Sequence, residues 1–161
     1  MCGIVGFIGS GNEETLIAMA NAIAYRGPDD CGYFFDGHVG LGHLRLSIID
    51  TSSAGHQPMW DDRKEIGVVF NGEIYNYREL RSELEQKGIK FVSGTDTEVL
   101  IYAYRQWGTE AFSKIEGMCA AAIYDLRSNS VILVRDRLGK KPLYLGHFGE
   151  TIIFASEPKA I

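Results

Sequence analysis

Cys2-Gly-Ile-Val-Gly-Phe-Ile8 is a short apolar run that stops at Gly9-Ser-Gly-Asn12. An apolar run of this length, closed by turn residues, reads as a buried strand. Behind it, Leu16, Ile17, Met19, Ala20, Ile23 and Ala24 recur at helical spacing. The spacing predicts a helix over 13–25 with Ser10 or Asn12 as its cap. Arg26-Gly-Pro-Asp-Asp30 ends that helix, because Pro28 restricts Gly27 before it.

Outward from this strand–helix pair, residues 31–36 and 38–44 alternate as strands, and Asp36-Gly37 between them favours a hairpin. Leu46–Ile49 is a third strand-like run, leading into a polar loop that lasts through Pro58. Residues 65–71 predict a further strand. Helices are expected from near Asn76 to Lys87 with Gly88 closing the end, from Thr95 or Asp96 through Arg105, and briefly over 109–115. Cys119–Tyr124, Val131–Arg135, Leu143–Gly146 and Ile152–Ala155 read as short strands separated by turns. Regular βαβ units are missing, which argues against a doubly wound dinucleotide fold. Mixed antiparallel sheets covered by helices, an α+β arrangement, fit the order better.

The chain has 161 residues, enough for one domain or two very small ones. Its 45% hydrophobic and 23% charged content is globular, not disordered. A net charge of −5 makes nonspecific binding to nucleic acid or anionic membrane a poor expectation. No apolar run approaches a membrane span, and no secretory signal is visible. Cys2, Cys31 and Cys119 are odd in number and form no CxxC pair, so a reducing, cytoplasmic compartment is expected. His38, His43, His56 and His147 match no zinc spacing, and the phosphate-binding GxxxxGK[ST] pattern is absent.

Three places can carry chemistry. Removal of Met1 would leave Cys2 with a thiol beside its own α-amine, groups with reference pKa values near 8.5 and 7.7–8.0. That is a nucleophile with an attached base; a buried cysteine in the first strand is the plainer alternative. In Phe70-Asn-Gly-Glu-Ile-Tyr-Asn76, the Asn71 amide and the Gly72 N–H could converge as an oxyanion hole. An ordinary Asn-Gly turn explains the same residues. Arg45 suits a carboxylate and Asp96 an ammonium, so together they could hold the head of a free amino acid. Either could equally sit in a surface ion pair. The basic run 135–142 reads as a charged turn, diluted by Asp136, or as a surface facing an acidic ligand.

Taken in order, several segments form a longer pattern. They are Met1-Cys-Gly-Ile-Val-Gly6, Arg26-Gly-Pro-Asp29, Gly42-His-Leu-Arg-Leu-Ser-Ile-Ile-Asp50, Gln57-Pro58, Phe70-Asn-Gly-Glu-Ile-Tyr-Asn76, Ser93-Gly-Thr-Asp-Thr-Glu98, Arg135-Asp-Arg-Leu-Gly139, Lys141-Pro-Leu-Tyr144 and Ala155-Ser-Glu157. This string resembles the glutaminase domain of glutamine-hydrolysing asparagine synthetases, a class II glutamine amidotransferase domain of the N-terminal-nucleophile hydrolase type. The resemblance covers essentially all of residues 1–161. It implies a four-layer αββα sandwich of two mostly antiparallel sheets covered by helices. It also implies Cys2 as nucleophile with its α-amine as base, Asn71 and Gly72 as oxyanion hole, Arg45 and Asp96 on the glutamine α-carboxylate and α-ammonium, and Glu73, Leu46, Ile48 and Ile49 around the same pocket.

The implied reaction is hydrolysis of glutamine to glutamate and ammonia through a Cys2 thioester. Ammonia would pass to a C-terminal synthetase domain that lies outside this chain, and ATP and Mg would be needed only there. No cofactor or metal is expected in residues 1–161. The expected partners are L-glutamine and that synthetase domain, with a homodimer left open. The alternative is an inactive glutamine-binding regulatory or structural domain.

Four positions depart from the family pattern. Tyr25 stands where histidine is common, and Lys140 where isoleucine is usual. Cys119 and Ala121 stand where aromatic residues are frequent. Such a loss of core volume must be compensated or leave a cavity. The departures are compatible with an ammonia acceptor other than aspartate. Sugar-phosphate and nucleotide-precursor amidotransferases fit less well, because their Arg-Trp-Ala-Thr-His-Gly segment is absent around Arg45.

Overall fold

The computed structural model describes residues 1–48 and 50–161. Its layering follows from the two faces of its strands. In β1 (Gly3–Ile8) Val5 and Phe7 point one way, against Leu16, Met19, Ala20 and Ile23 around α1 (Glu13–Ala22). Ile4 points the other way, against Leu41 of β3 (Val39–Arg45), Val69 of β5 (Ile66–Ile74) and Ala120 and Ala122 of β6 (Gly117–Asp125). Sheet β5–β6 in turn buries Val68, Phe70, Ala121 and Ile123 against α2 (Tyr77–Gln86) and α3 (Asp96–Trp107). Alternation at period two on both sheets, with a helical stripe on each outer side, therefore produces three apolar layers and four structural ones.

One sheet has the order β2-β3-β1-β9-β8, adding β2 (Asp30–Phe35), β8 (Tyr144–Phe148) and β9 (Thr151–Ala155). The other runs β4-β5-β6-β7, with β4 (Met59–Trp60) and β7 (Ser130–Arg135) at its edges. All strand pairs are antiparallel. The short α4 (Ala111–Lys114) follows α3. The expected αββα sandwich is the architecture found.

Local departures from the sequence reading have physical causes. Asn12 caps α1 by accepting from Thr15 N–H at 2.8 Å, but the helix ends at Ala22 and not at 25. Ile23 turns its fully buried side chain inward, and Ala24–Arg26 continue as a single 3-10 turn. Leu46–Ile48 is not a strand. The N–H of Ser47 goes to Asp29 Oδ2 (2.8 Å) and the Leu46 backbone faces Cys2, so neither is offered to a ladder. Ile49 lies outside the described residues. The two-residue β4, beside Pro58, is too short to show a pattern.

The largest correction concerns Asn71-Gly72. They do not form a turn. β5 runs through them to Ile74, with Asn71 opposite Ala120 and Gly72 opposite Cys119. Glycine is required there, since a Cβ on residue 72 would strike the Met118 carbonyl and lie 2.8 Å from both Cys119 Cα and Phe70 Cζ.

Candidate active site

Cys2 is half-buried and immediately precedes β1. Its Sγ receives the Leu46 N–H at 3.4 Å and donates to the Leu46 carbonyl at 3.5 Å. Arg26 Nε donates to the Cys2 carbonyl at 3.0 Å, while Arg26 Nη1 pairs with Glu157 Oε1 at 2.8 Å. Tyr25 donates to the same Glu157 oxygen. The Arg-Gly-Pro segment and the Ser-Glu segment near the end of the chain thus meet to fix the backbone of residue 2. Met1 precedes Cys2 in the structure, so the Cys2 nitrogen is an amide and becomes an amine only when Met1 is removed.

Arg45, the last residue of β3, is buried on the inter-sheet side. Its guanidinium donates to the Ser52 carbonyl at 2.8 Å and to the Asp50 carbonyl, so it organises the loop that follows β3. A side chain at Gly55 would collide with it. Asp96 opens α3, behind Thr95, whose hydroxyl caps the helix at Glu98 N–H (3.2 Å). Asp96 Oδ2 accepts the Ile74 N–H at 2.9 Å. Burial pushes the Asp96 carboxyl up to about 6, and the nearby Glu73 adds to the rise. The N–H groups of Ile74, Asp96 and Thr97 act against it.

The edge of β5 completes the arrangement. Cys119 directs its carbonyl to Asp136 N–H and its N–H to Asp136 Oδ2, away from β5. Gly72, opposite Cys119, therefore belongs to a pair that exchanges no ladder hydrogen bonds, and its N–H points away from β6. Two residues to either side on this edge, Phe70 N–H donates to Gln57 Oε1 (2.7 Å) and Ile74 N–H to Asp96. Between them the Gly72 N–H faces the side where β4, paired only at Val68 and Gly67, does not reach. The Asn71 side chain is buried, and its Nδ2 has no hydrogen-bond partner among the described residues. A buried donor without an acceptor is costly unless something fills the place.

A cavity of about 70 Å³ brings most of these groups together. Cys2, Arg45, Leu46, Ile48, Gly72 and Asp96 all line it. Asn71 and Glu73 do not reach its wall; Asn71 lies directly beside Gly72, and Glu73 acts on Asp96 through its charge. Ile48 is 71% exposed, at the mouth. Gln57, Thr97 and Asp50 also line the cavity without having been singled out as site residues from the sequence. Gln57 is buried and spans from Phe70 N–H to Thr97 Oγ1 (3.2 Å), holding the loop against β5 and α3. A glutamine directly before a proline, inside a polar loop, was the available signal.

Beneath this site His43 crosses between the sheets. It is fully buried and its Nε2 donates to the Phe70 carbonyl at 3.1 Å. Burial drives its pKa down to about 4, so it is neutral and acts as a strut. Among the described residues no group of three His, Cys, Asp or Glu side chains converges on a metal-sized site, and no helix is long and apolar enough to cross a membrane.

The glutamine amidotransferase domain family matches residues 1–161, the whole chain. The chain belongs to that family. It is 44% identical to asparagine synthetase [glutamine-hydrolyzing] 1 of Bacillus subtilis, with all of this chain aligned to 26% of that protein. Identity is 41% to a putative asparagine synthetase of Methanocaldococcus jannaschii, of which it covers 35%. Amidase chry2 of Gibberella zeae is 37% identical over 99% of the chain and 26% of its own length. This amidotransferase domain therefore spans about a quarter to a third of these relatives. Among solved structures, glutamine phosphoribosylpyrophosphate amidotransferase from B. subtilis superposes with a TM-score of 0.85 at 22% identity, covering 99% of this chain and 42% of that one. At that identity the likeness concerns the fold.

Proposed function

We propose that this domain hydrolyses the side-chain amide of L-glutamine, with Cys2 as the nucleophile. The observation that carries the reading is one small cavity walled by Cys2, Gly72, Arg45 and Asp96, beside a buried Asn71 amide with no acceptor. Glutamine places its α-carboxylate on Arg45 and its α-ammonium on Asp96. Once Met1 is removed, the Cys2 α-amine takes the thiol proton and Sγ attacks the amide carbon. Charge on the amide oxygen meets Asn71 Nδ2–H and Gly72 N–H. The tetrahedral adduct collapses, and the ammonium of Cys2 returns its proton to the leaving ammonia. Water, deprotonated by the same amine, cleaves the thioester to glutamate and regenerates the thiol.

The family and the length of the relatives support a second proposal. Residues 1–161 form the glutaminase part of a longer protein, whose C-terminal synthetase domain receives the ammonia and uses ATP and Mg. Relatives named asparagine synthetase and amidase align with this chain at 44% and 37% identity, and we assign the choice of acceptor to the other domain.

A second reading rests on Met1. With it attached, residue 2 has no free amine, and the pocket would bind an amino acid without cutting it. Intact mass separates the two. Loss of one methionine, a single adduct on Cys2 from a glutamine analogue with an electrophilic carbon, and ammonia release abolished in Cys2→Ala support hydrolysis. Retained Met1 with amino-acid binding but equal, negligible turnover in both proteins supports the binding domain.

A further inference from the structure

A second hollow, with more apolar walls, lies elsewhere. Between α3–α4 and the outer face of β5–β7 is a cavity of about 470 Å³. Its floor is where Cys119 and Ala121 stand, and Phe112, Ile115 and Val134 wall it. Protein interiors rarely keep voids larger than a water molecule. A volume of roughly 300–1,000 Å³ with apolar walls and a few polar groups is that of a small-molecule site.

The mouth of this cavity carries a charge bias. Asp136 accepts the N–H groups of Cys119 (3.2 Å), Lys140 (2.8 Å) and Lys141 (2.9 Å), which ties the loop after β7 into one shape. Arg135 braces the same loop by donating to the carbonyls of Lys141 and Gly139. What the braced loop presents is Arg137 and Lys140, both exposed, and neither forms an ion pair with any described residue. Arg135, Arg137 and Lys140 line the opening against Glu116 and Asp136, a local excess of positive charge on a chain whose net charge is −5. Leu138, 83% exposed, forms an apolar lip between the two free cations.

We propose that this cavity binds a small amphipathic anion, with its apolar part against Ala121, Phe112 and Val134 and its single carboxylate at Arg137 and Lys140. Apolar depth with positive charge confined to the rim selects this class over a neutral apolar molecule and over an apolar amine. The site is separate from the Cys2 pocket, so the proposal stands whether or not that pocket cuts glutamine.

Octanoate, octanol and octylamine, compared by thermal shift and calorimetry on the 161-residue protein, test it. Octanoate should bind saturably by calorimetry and raise Tm by about 5–10 °C at a hundred times its dissociation constant. Octanol should bind about tenfold more weakly and octylamine more weakly still. In Ala121→Phe, which fills the cavity, binding of both octanoate and octanol should disappear. Should that variant not fold, the exposed double substitution Arg137→Gln with Lys140→Gln decides the matter. It should weaken octanoate about tenfold and leave octanol unchanged. No saturable binding of octanoate by calorimetry, equal binding of octylamine, or octanoate binding unaltered by the double substitution would overturn the proposal.

Discussion

Two hollows share Phe70 as a wall, and they are built on opposite terms. The smaller is the more polar of the two, at one end of the space between the sheets, with its charged groups held by named neighbours and two donors, Asn71 Nδ2 and the Gly72 N–H, left unengaged among the described residues. The larger is apolar, lies on the helix side of the same sheet, and exists because its floor is made of small side chains. The first is a place where donors and charges are held ready, and its volume is slight. The second offers volume and charge only at the rim. In the proposed reaction, position of polar groups, not size of hollow, marks the place where bonds are broken.

Substitutions should affect the two independently. The largest effect is expected from Cys2→Ala, which should lower glutamine hydrolysis by about a thousandfold or more and leave the octanoate shift untouched. A loss in both would merge the two hollows into one site. Asn71→Ala should come next, lowering kcat about 10²–10³-fold with little change in KM, since the donor acts on charge that develops only during attack. A change confined to KM would assign Asn71 to ground-state binding instead.

Asp96→Asn should act on KM, raising it about tenfold to a hundredfold through the lost charged hydrogen bond. Burial raises the carboxyl to about 6 in the unmodified protein, and in the proposed reaction the ammonium of glutamine binds its ionised form. KM should therefore rise as pH falls through 6, by about tenfold per unit below it, and this dependence should vanish in the variant. The same carboxyl is raised above its usual value. Its contribution to stability is therefore present in full below about pH 4 and is lost as pH rises through 6. Asp96→Asn should accordingly stabilise the ligand-free domain at pH 8, by up to about 3 kcal/mol, and not at pH 4. His43 has the opposite sign. Its lowered pKa gives stability that is present above about 6.5 and lost as pH falls toward 4. The smallest catalytic effect belongs to the apolar side. Ala121→Phe should raise Tm by a few degrees and change kcat by less than about twofold. A larger loss of rate would show that Phe70 transmits strain from one hollow to the other.

Much of this was open to reading in the chain itself. The strand at 2–8, the helix behind it and the two helices after residue 76 follow from periodicity and caps, because those elements bury one regular face. The gap left by Cys119 and Ala121 followed from side-chain volume, once aromatic residues were the expectation there. Other features depend on contacts distant in sequence. Leu46–Ile48 has strand-like residues, yet its backbone groups are taken by Asp29 and Cys2, neither of which is a neighbour in the chain. Asn71-Gly72 has the chemistry of a turn, and the pairing with β6 overrides it. The unused edge of Gly72 is visible only through the register, which no local pattern specifies. Gln57 carries no charge to announce it, and its role as a tie appears only when β5 and α3 are both in place.

The packing around residue 72 bears on how family members without measured activity should be sorted. Glycine is imposed at that point by the Met118 carbonyl, Cys119 Cα and the Phe70 ring, whatever the pocket does. A descendant that had lost its thiol, and with it all turnover, would still be obliged to keep it. The neighbouring asparagine is under no such mechanical compulsion, because no described residue uses its amide nitrogen. Persistence of Asn71 is therefore the informative trait, and a glycine beside it is silent on whether a protein is a working enzyme or a relic.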